Sequence, residues 1–220
     1  MKVLKEIIGW IPSLLDGAKV TISLTLLSVC AGLVIALFLA LGKMSKRKWI
    51  NNICSSYIFF FRGTPLLMQL YFVYYGLPQL SPIFTINNRF LAAFIAFGLN
   101  SAAYTAEIIR AAIQSIDKGQ FEAAHALGMS YGQTMKLVVV PQSIRRLIPP
   151  VGNEFIMVLK DASLVSIIAL ADITKVTRSI SSSTASALVY IPAMVLYLII
   201  TAVFTIVFNR LEKKYSIYEK

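Results

Sequence analysis

Two acidic residues, Glu154 and Asp161, stand in a stretch that is otherwise largely apolar from about Leu147 to Leu170. They are seven residues apart, two helical turns, so both carboxylates project from one face of a helix. A carboxylate in such surroundings is costly unless it faces protein or a watery cavity, and a pair of them can bind an ammonium or guanidinium group. The competing reading is charge compensation by Lys160, Arg62 or Arg110, or a place at the end of the helix. Glu107 lies three residues before Arg110, a spacing suited to an ion pair on one helix. Arg62-Gly63-Thr64-Pro65 interrupts another apolar stretch. Proline removes a donor and disfavours helix in the residue before it, so the helix is expected to break here. Arg62, Gly63, Thr64, Pro65 and Glu107 are therefore read as structural or gating residues. Tyr57, Gln69, Asn100 and Tyr104 are candidates for lining a cavity, against the plainer reading that amides and aromatics in a helical bundle are packed and hydrogen-bonded.

Other chemistries find little to work with. A hydrolase needs a positioned nucleophile and base; His-Glu-x-x-His does not occur in the sequence, and Gly-x-Ser-x-Gly occurs only as Gly128-Met129-Ser130-Tyr131-Gly132, inside the polar insert. The single histidine, His125, and the cysteines Cys30 and Cys54, which have no Cys-x-x-Cys spacing, are not expected to hold a metal.

The elements that must position these residues are set by composition. Of 220 residues 57% are hydrophobic and 14% charged, against roughly 25% charged in an ordinary soluble domain. With a mean hydropathy of +0.73, an all-α integral membrane protein is expected. The net charge of +11 suits contact with anionic lipid. It does not suggest nucleic acid, because the cations sit between long apolar runs and make no solvated basic face.

A bilayer core about 30 Å thick needs roughly 20 apolar residues per helix, and five such spans are read here. Residues 1–17 carry apolar side chains at helical spacing among Lys2, Lys5, Glu6 and Asp16, as an amphipathic helix at the interface would. A single membrane domain over 18–210 follows. Its spans are 20–41, 50–77 with the break at 62–65, 90–113, 147–170 and 188–208, and 211–220 form a tail. The third span is rich in small residues that permit close helix packing. Residues 115–146 are too polar to span and read as two short helices, and Ser181–Ser183 read as a polar loop. Lys and Arg number four in 43–48, five in 110–146 and four in 210–220, thirteen in all, against six on the other side. The positive-inside rule then places the N-terminus outside and the C-terminus and the 115–146 insert in the cytoplasm.

A cytoplasmic insert with an apolar face wants a protein partner. Glu122-Ala123-Ala124, His125 and Gly128, with Pro141 thirteen residues after Gly128, resemble the Glu-Ala-Ala loop of ABC-importer permeases; the bland alternative is a helix resting on the membrane surface. The likeness continues through Arg62-Gly63-Thr64-Pro65, the run Asn100 to Glu107, Gly152-Asn153-Glu154-Phe155 and Leu159 to Leu164. Together these resemble the polar amino acid uptake permeases over about residues 17–210. Val138 and Val140 depart mildly from the usual Ile and Leu.

That resemblance implies a five-span subunit paired with a second permease, identical or homologous. It also implies two cytoplasmic ATPases docking on Glu122, Ala123, Ala124, His125 and Gly128, and an extracytoplasmic amino acid-binding protein, all in a prokaryotic inner membrane. The sequence has no Gly-x-x-x-x-Gly-Lys-Ser/Thr loop, so ATP and Mg belong on the partners, this chain holds no cofactor, and it is not itself an enzyme. The expected cargo is a polar, basic amino acid moved by alternating access, with Glu154, Asp161, Asn153, Asn100, Tyr104, Tyr57 and Gln69 as candidate substrate contacts. Glutamine, glutamate or another polar amino acid is the alternative cargo, and an ATP-independent channel or carrier the alternative class.

Overall fold

In hydrocarbon, helices are held together by close approach and not by any hydrophobic advantage over lipid, so small side chains decide which helices meet. The computed structural model describes residues 2–215, with side chains from residue 5 onward. Along α1 (Lys2–Lys43), Thr21, Thr25, Ser28, Ala36 and Ala40 follow one another at three-, four- and eight-residue steps, and all are fully buried. Much of this face meets α5 (Arg89–Gln114), whose Ala92, Ala93, Ala96, Ser101, Ala102, Ala103 and Ala106 are equally buried, while Thr21 also accepts from the Ile173 nitrogen of the α9 segment. A Cβ on Gly32 would stand 3.2 Å from the Ala102 nitrogen and 3.3 Å from the Gly98 carbonyl oxygen. The two backbones are therefore nearly in contact. The buried threonine hydroxyls bond back along α1, Thr25 to the Thr21 carbonyl at 2.8 Å and Thr21 to that of Gly17 at 3.2 Å.

The other helices wrap this pair. Among the described residues every regular element is helical. α2 (Lys48–Gly63), α3 (Leu66–Tyr71) and α4 (Leu77–Leu80) form the broken second segment, and α6 (Lys118–Ala126) and α7 (Tyr131–Thr134) the insert. α8 (Val140–Asp161), α9 (Ile173–Thr184) and α10 (Tyr190–Tyr215) complete the chain. Wider π-helical turns at Phe72–Gly76 and Met135–Val139 contain the carbonyls that Pro78 and Pro141, lacking an N–H, cannot meet one turn on. α10 stacks on α8 through Phe204 and Phe208, whose ring centroids lie 4.5 and 5.5 Å from that of Phe155. Gly152 leaves room for Phe208, since a Cβ there would fall 2.9 Å from its ring.

Several expected boundaries move. No interruption separates the interfacial segment 1–17 from the first span, because α1 runs through both and carries Pro12 inside it. Leu14 and Ala18 are buried together against α9 and α10, so tertiary packing holds the amphipathic segment in line with the span. Of the two short helices expected in 115–146 only α6 is free-standing; α7 leads through a π turn into α8 as one helical run. Ser181–Ser183, expected in a loop, lie in α9, which Asp172 starts by accepting bonds from the Thr174 and Lys175 nitrogens at 2.9 and 2.8 Å. In the expected tail, 211–215 belong to α10 and 216–220 lie outside the described residues.

Among the described residues three helical stretches are long and apolar enough to cross a bilayer: Lys5–Lys43, Arg89–Gln114 and Ala187–Tyr215. The second and fourth expected spans are not among them. One is cut at Thr64, and α8 carries Arg145, Arg146, Glu154, Lys160 and Asp161.

Gly17 tests the packing at the α1–α9 corner, where a Cβ would meet the Asp172 carbonyl and the Ile173 nitrogen at 2.9 Å. Gly17→Ala should destabilise the protein by about 1–3 kcal/mol. Gly9→Ala, where a Cβ meets nothing within 4 Å, should stabilise it by up to about 1 kcal/mol. Thermal unfolding in mild detergent reads both, and equal shifts would contradict the close approach.

Candidate functional site

The site grows from the break in the second segment. Pro65 holds Thr64 in an extended conformation (φ −117°, ψ 145°), which ends α2 and lets α3 restart at Leu66. Carbonyls that lose their helical partners need new donors, because a buried backbone polar group left unpaired is costly. The Thr64 hydroxyl donates to the Phe60 carbonyl at 2.8 Å. The Gln69 amide lies 3.0 Å from the Phe61 carbonyl, 3.1 Å from that of Thr64 and 2.8 Å from the Thr64 hydroxyl. Asn100 of α5 donates to the Phe61 carbonyl and to Gln69 Oε1, each at 3.0 Å. The break is thus closed from both sides by two buried amides.

Beside it opens a cavity of about 310 Å³. Arg62, Gly63, Thr64, Pro65 and Leu66 form one wall, Asn100 and Tyr104 of α5 a second, and Glu154, Met157, Val158 and Asp161 of α8 a third. Glu154 is buried and Asp161, at the end of α8, is exposed, so the two carboxylates reach one space from different depths. The charged groups that face Glu154 are Asp161 and Arg62. A second hollow of about 550 Å³ on the other side of Arg62 and Tyr104 is lined by Glu107, Arg110, Arg146 and Pro150 among others. The Arg62–Tyr104 pair, with the guanidinium carbon 5.3 Å from the ring centroid, therefore stands between two spaces.

Glu107 gathers the cations of this region. Lys43 reaches it at 2.6 Å, Arg110 at 2.7 and 3.1 Å, and Arg62 stands 3.9 Å away. The same-helix pair with Arg110 is thus accompanied by a cation from α1 that no local spacing announces. Asp16 and Glu107 form close ion pairs, whereas the opposite charges that act on Glu154 and Asp161, those of Arg62 and Lys160, stand farther off.

Of the expected substrate contacts, Glu154, Asp161, Asn100 and Tyr104 share the cavity, whereas Tyr57, Gln69 and Asn153 do not line it. The Tyr57 hydroxyl bonds the Leu99 carbonyl at 2.8 Å, Gln69 serves the break, and Asn153 is on the exposed side of α8. Leu66, Met157 and Val158 line the cavity without any sequence signal, since an apolar residue in an apolar helix looks like packing. Arg62 was signalled by its place at the break and as a possible counterion of the two carboxylates, not as a substrate contact.

The insert presents a separate surface. α6 ends at Gly128, whose φ of +74° closes the helix by bonds from the Gly128 nitrogen to the His125 carbonyl at 2.9 Å and from Met129 to Ala124 at 3.0 Å. Ser130 and Gln133 then form a reciprocal cap that starts α7. Glu122, Ala123, His125 and Gly128 are exposed, while Ala124 is buried beneath them. Leu127 and Tyr131 are exposed on the same turn, Leu127 by 81%, and neither was singled out by the sequence.

Residues 32–217 match the family described as binding-protein-dependent transport system inner membrane components. The chain is 40% identical over 205 residues to the arginine transport system permease protein ArtQ of Bacillus subtilis (strain 168), across 93% of both chains. It is 38% identical over 208 residues to the glutamine transport system permease protein GlnP of Escherichia coli (strain K12), across 94% of both. A crystal structure of an amino acid ABC transporter with histidines superposes with a TM-score of 0.89 at 41% identity, covering 95% of this chain and 97% of that one.

Gln69→Leu removes the donors that serve the Phe61 and Thr64 carbonyls, and should cost about 1–3 kcal/mol of stability. Tyr57→Phe leaves the Leu99 carbonyl its place in the α5 helix and should cost no more than about 1 kcal/mol. Unfolding temperatures in detergent would rank the two, and a Gln69→Leu protein as stable as the parent would remove the amide from its role at the break.

Proposed function

Because the chain belongs to the family of binding-protein-dependent transport system inner membrane components, we propose that it forms the translocation pathway of an ATP-driven importer of amino acids. The observation that carries this reading is the cavity at the helix break, in which Glu154 and Asp161 share one space with Asn100, Tyr104 and Arg62. About 310 Å³ is at the lower end of ligand-site volumes, suited to a single amino acid. Two carboxylates outside any ion pair there favour a ligand that brings positive charge, so a basic amino acid is the preferred cargo and a neutral polar one such as glutamine the second choice. The similarity to arginine and glutamine permeases supports both.

The chain spans the membrane five times in this reading. α1, α5 and α10 each supply one crossing; α2 with α3 and its continuation supplies a broken one, and α8 a charged one whose Glu154 and Asp161 face the cavity. The surplus of Lys and Arg on one side puts the insert and the C-terminus in the cytoplasm and the N-terminus outside. α6 and its glycine turn then form the docking element for a cytoplasmic ATPase. Small Ala123 permits close approach, Glu122 anchors a cation, and the exposed Leu127 and Tyr131 supply apolar area. Two ATPases, a second copy or a homologue of this chain, and an extracytoplasmic binding protein complete the assembly. ATP is hydrolysed on the partners. Closure of the ATPase pair moves the coupling helices and opens the permease pair outward.

The decisive experiment purifies tagged chain from its native membrane, identifies its companions by mass spectrometry, and measures ATPase activity with arginine or glutamine. A co-purifying ATPase stimulated by arginine is expected; an intact chain without one would favour a channel or carrier. Glu154→Lys should abolish uptake of labelled arginine into proteoliposomes with the complex still assembled, and unchanged uptake would remove Glu154 from the pathway. Gly128→Arg, placed on the exposed turn at φ +74°, should uncouple ATP hydrolysis from transport. Flux indifferent to it would argue against docking there.

A further inference from the structure

A free amino acid carries a carboxylate as well as an ammonium group, and the cavity holds one cation to meet it. We infer that Arg62 binds the α-carboxylate of the transported amino acid, so that the site reads both charges of a zwitterion. This rests on the reading of the cavity as the substrate site and adds to it the residue that distinguishes an amino acid from a simple amine.

Three observations lead there. Arg62 lines the same space as Glu154 and Asp161, which places positive and negative walls around one ligand. Its donors are not consumed by Glu107, because Lys43 at 2.6 Å and Arg110 at 2.7 Å already occupy that carboxylate. At 3.9 Å Arg62 is an ion-pair neighbour of Glu107 outside hydrogen-bonding range. Its guanidinium lies over the Tyr104 ring. That stacking holds the plane and leaves the edges, where the N–H groups point, open to a ligand. A planar fork of this kind matches a carboxylate through two parallel hydrogen bonds, which a lysine ammonium cannot reproduce. The backbone that carries it is immobilised by Gln69 and Asn100 at the adjoining break, so little of the binding is spent on ordering.

The test is calorimetric binding to the purified complex of permease and ATPase, with L-arginine compared against agmatine, the same molecule without its carboxylate. The parent complex should prefer L-arginine by about ten- to a hundredfold. Arg62→Gln should erase that preference by weakening L-arginine alone, and Arg62→Lys should retain part of it. Equal loss of both ligands, or loss of neither, in Arg62→Gln would overturn the assignment. If Arg62→Gln does not fold, the parent decides: a parent that binds agmatine as tightly as L-arginine overturns it. Glu154→Gln serves as the separate check, expected to weaken both ligands alike. Should it change neither, the carboxylate reading of the substrate site fails while the Arg62 result stands on its own.

Discussion

A buried backbone carbonyl must find a donor within the protein, and the arrangement around Thr64 and Pro65 follows from that requirement. Proline ends α2 in the middle of an apolar segment, which frees carbonyls that need donors from elsewhere in the fold. Gln69 and Asn100 supply the missing donors. In doing so they tie α3 and α5 to the end of α2 and fix the position from which Arg62 extends. The cavity is a consequence: a continuous helix would fill the space that the turn at Gly63–Leu66 leaves open to α5 and α8.

The rigidity that such a site needs comes from the α1–α5 pair. Alanine, serine, threonine and glycine at the contact bring the backbones close enough for dispersion between the two helices. Side chains on α5 that do not face α1 can then be held at defined positions, among them Asn100 and Tyr104. Glu107 acts in the same sense for charge. By engaging Lys43 and Arg110 at short range it joins α1 to α5 at one end of the cavity, and it leaves Arg62 as the cation with donors to spare.

Local features were legible in the residue order. The break was announced by proline, the insert by its polarity, the end of α6 by Gly128, and the small-residue contact by the alanine content of the third span. The shared face of Glu154 and Asp161 followed from helical period alone. Boundaries set by packing were not legible. The first seventeen residues have the pattern of an interfacial helix, yet burial of Leu14 and Ala18 against α9 and α10 draws them into α1. Ser181–Ser183 have loop composition, yet Asp172 and the buried Ile173 and Thr177 make a helix of their segment.

By itself the sequence determined that the chain is helical and membrane-embedded, where its second segment breaks, and which residues carry charge into apolar surroundings. Each of these follows from properties of a residue and its near neighbours: side-chain polarity, ring closure in proline, and a 3.6-residue period. Tertiary structure decided which polar groups are spent on holding the fold and which remain for a ligand. Gln69 and Asn100, 31 residues apart, satisfy each other and the break. Tyr57 is taken by a carbonyl 42 residues away, and Lys43 claims Glu107 across 64. Such pairings depend on distances between helices that no spacing along the chain encodes, and only after they are made does the space between Arg62, Glu154 and Asp161 stand out as unclaimed.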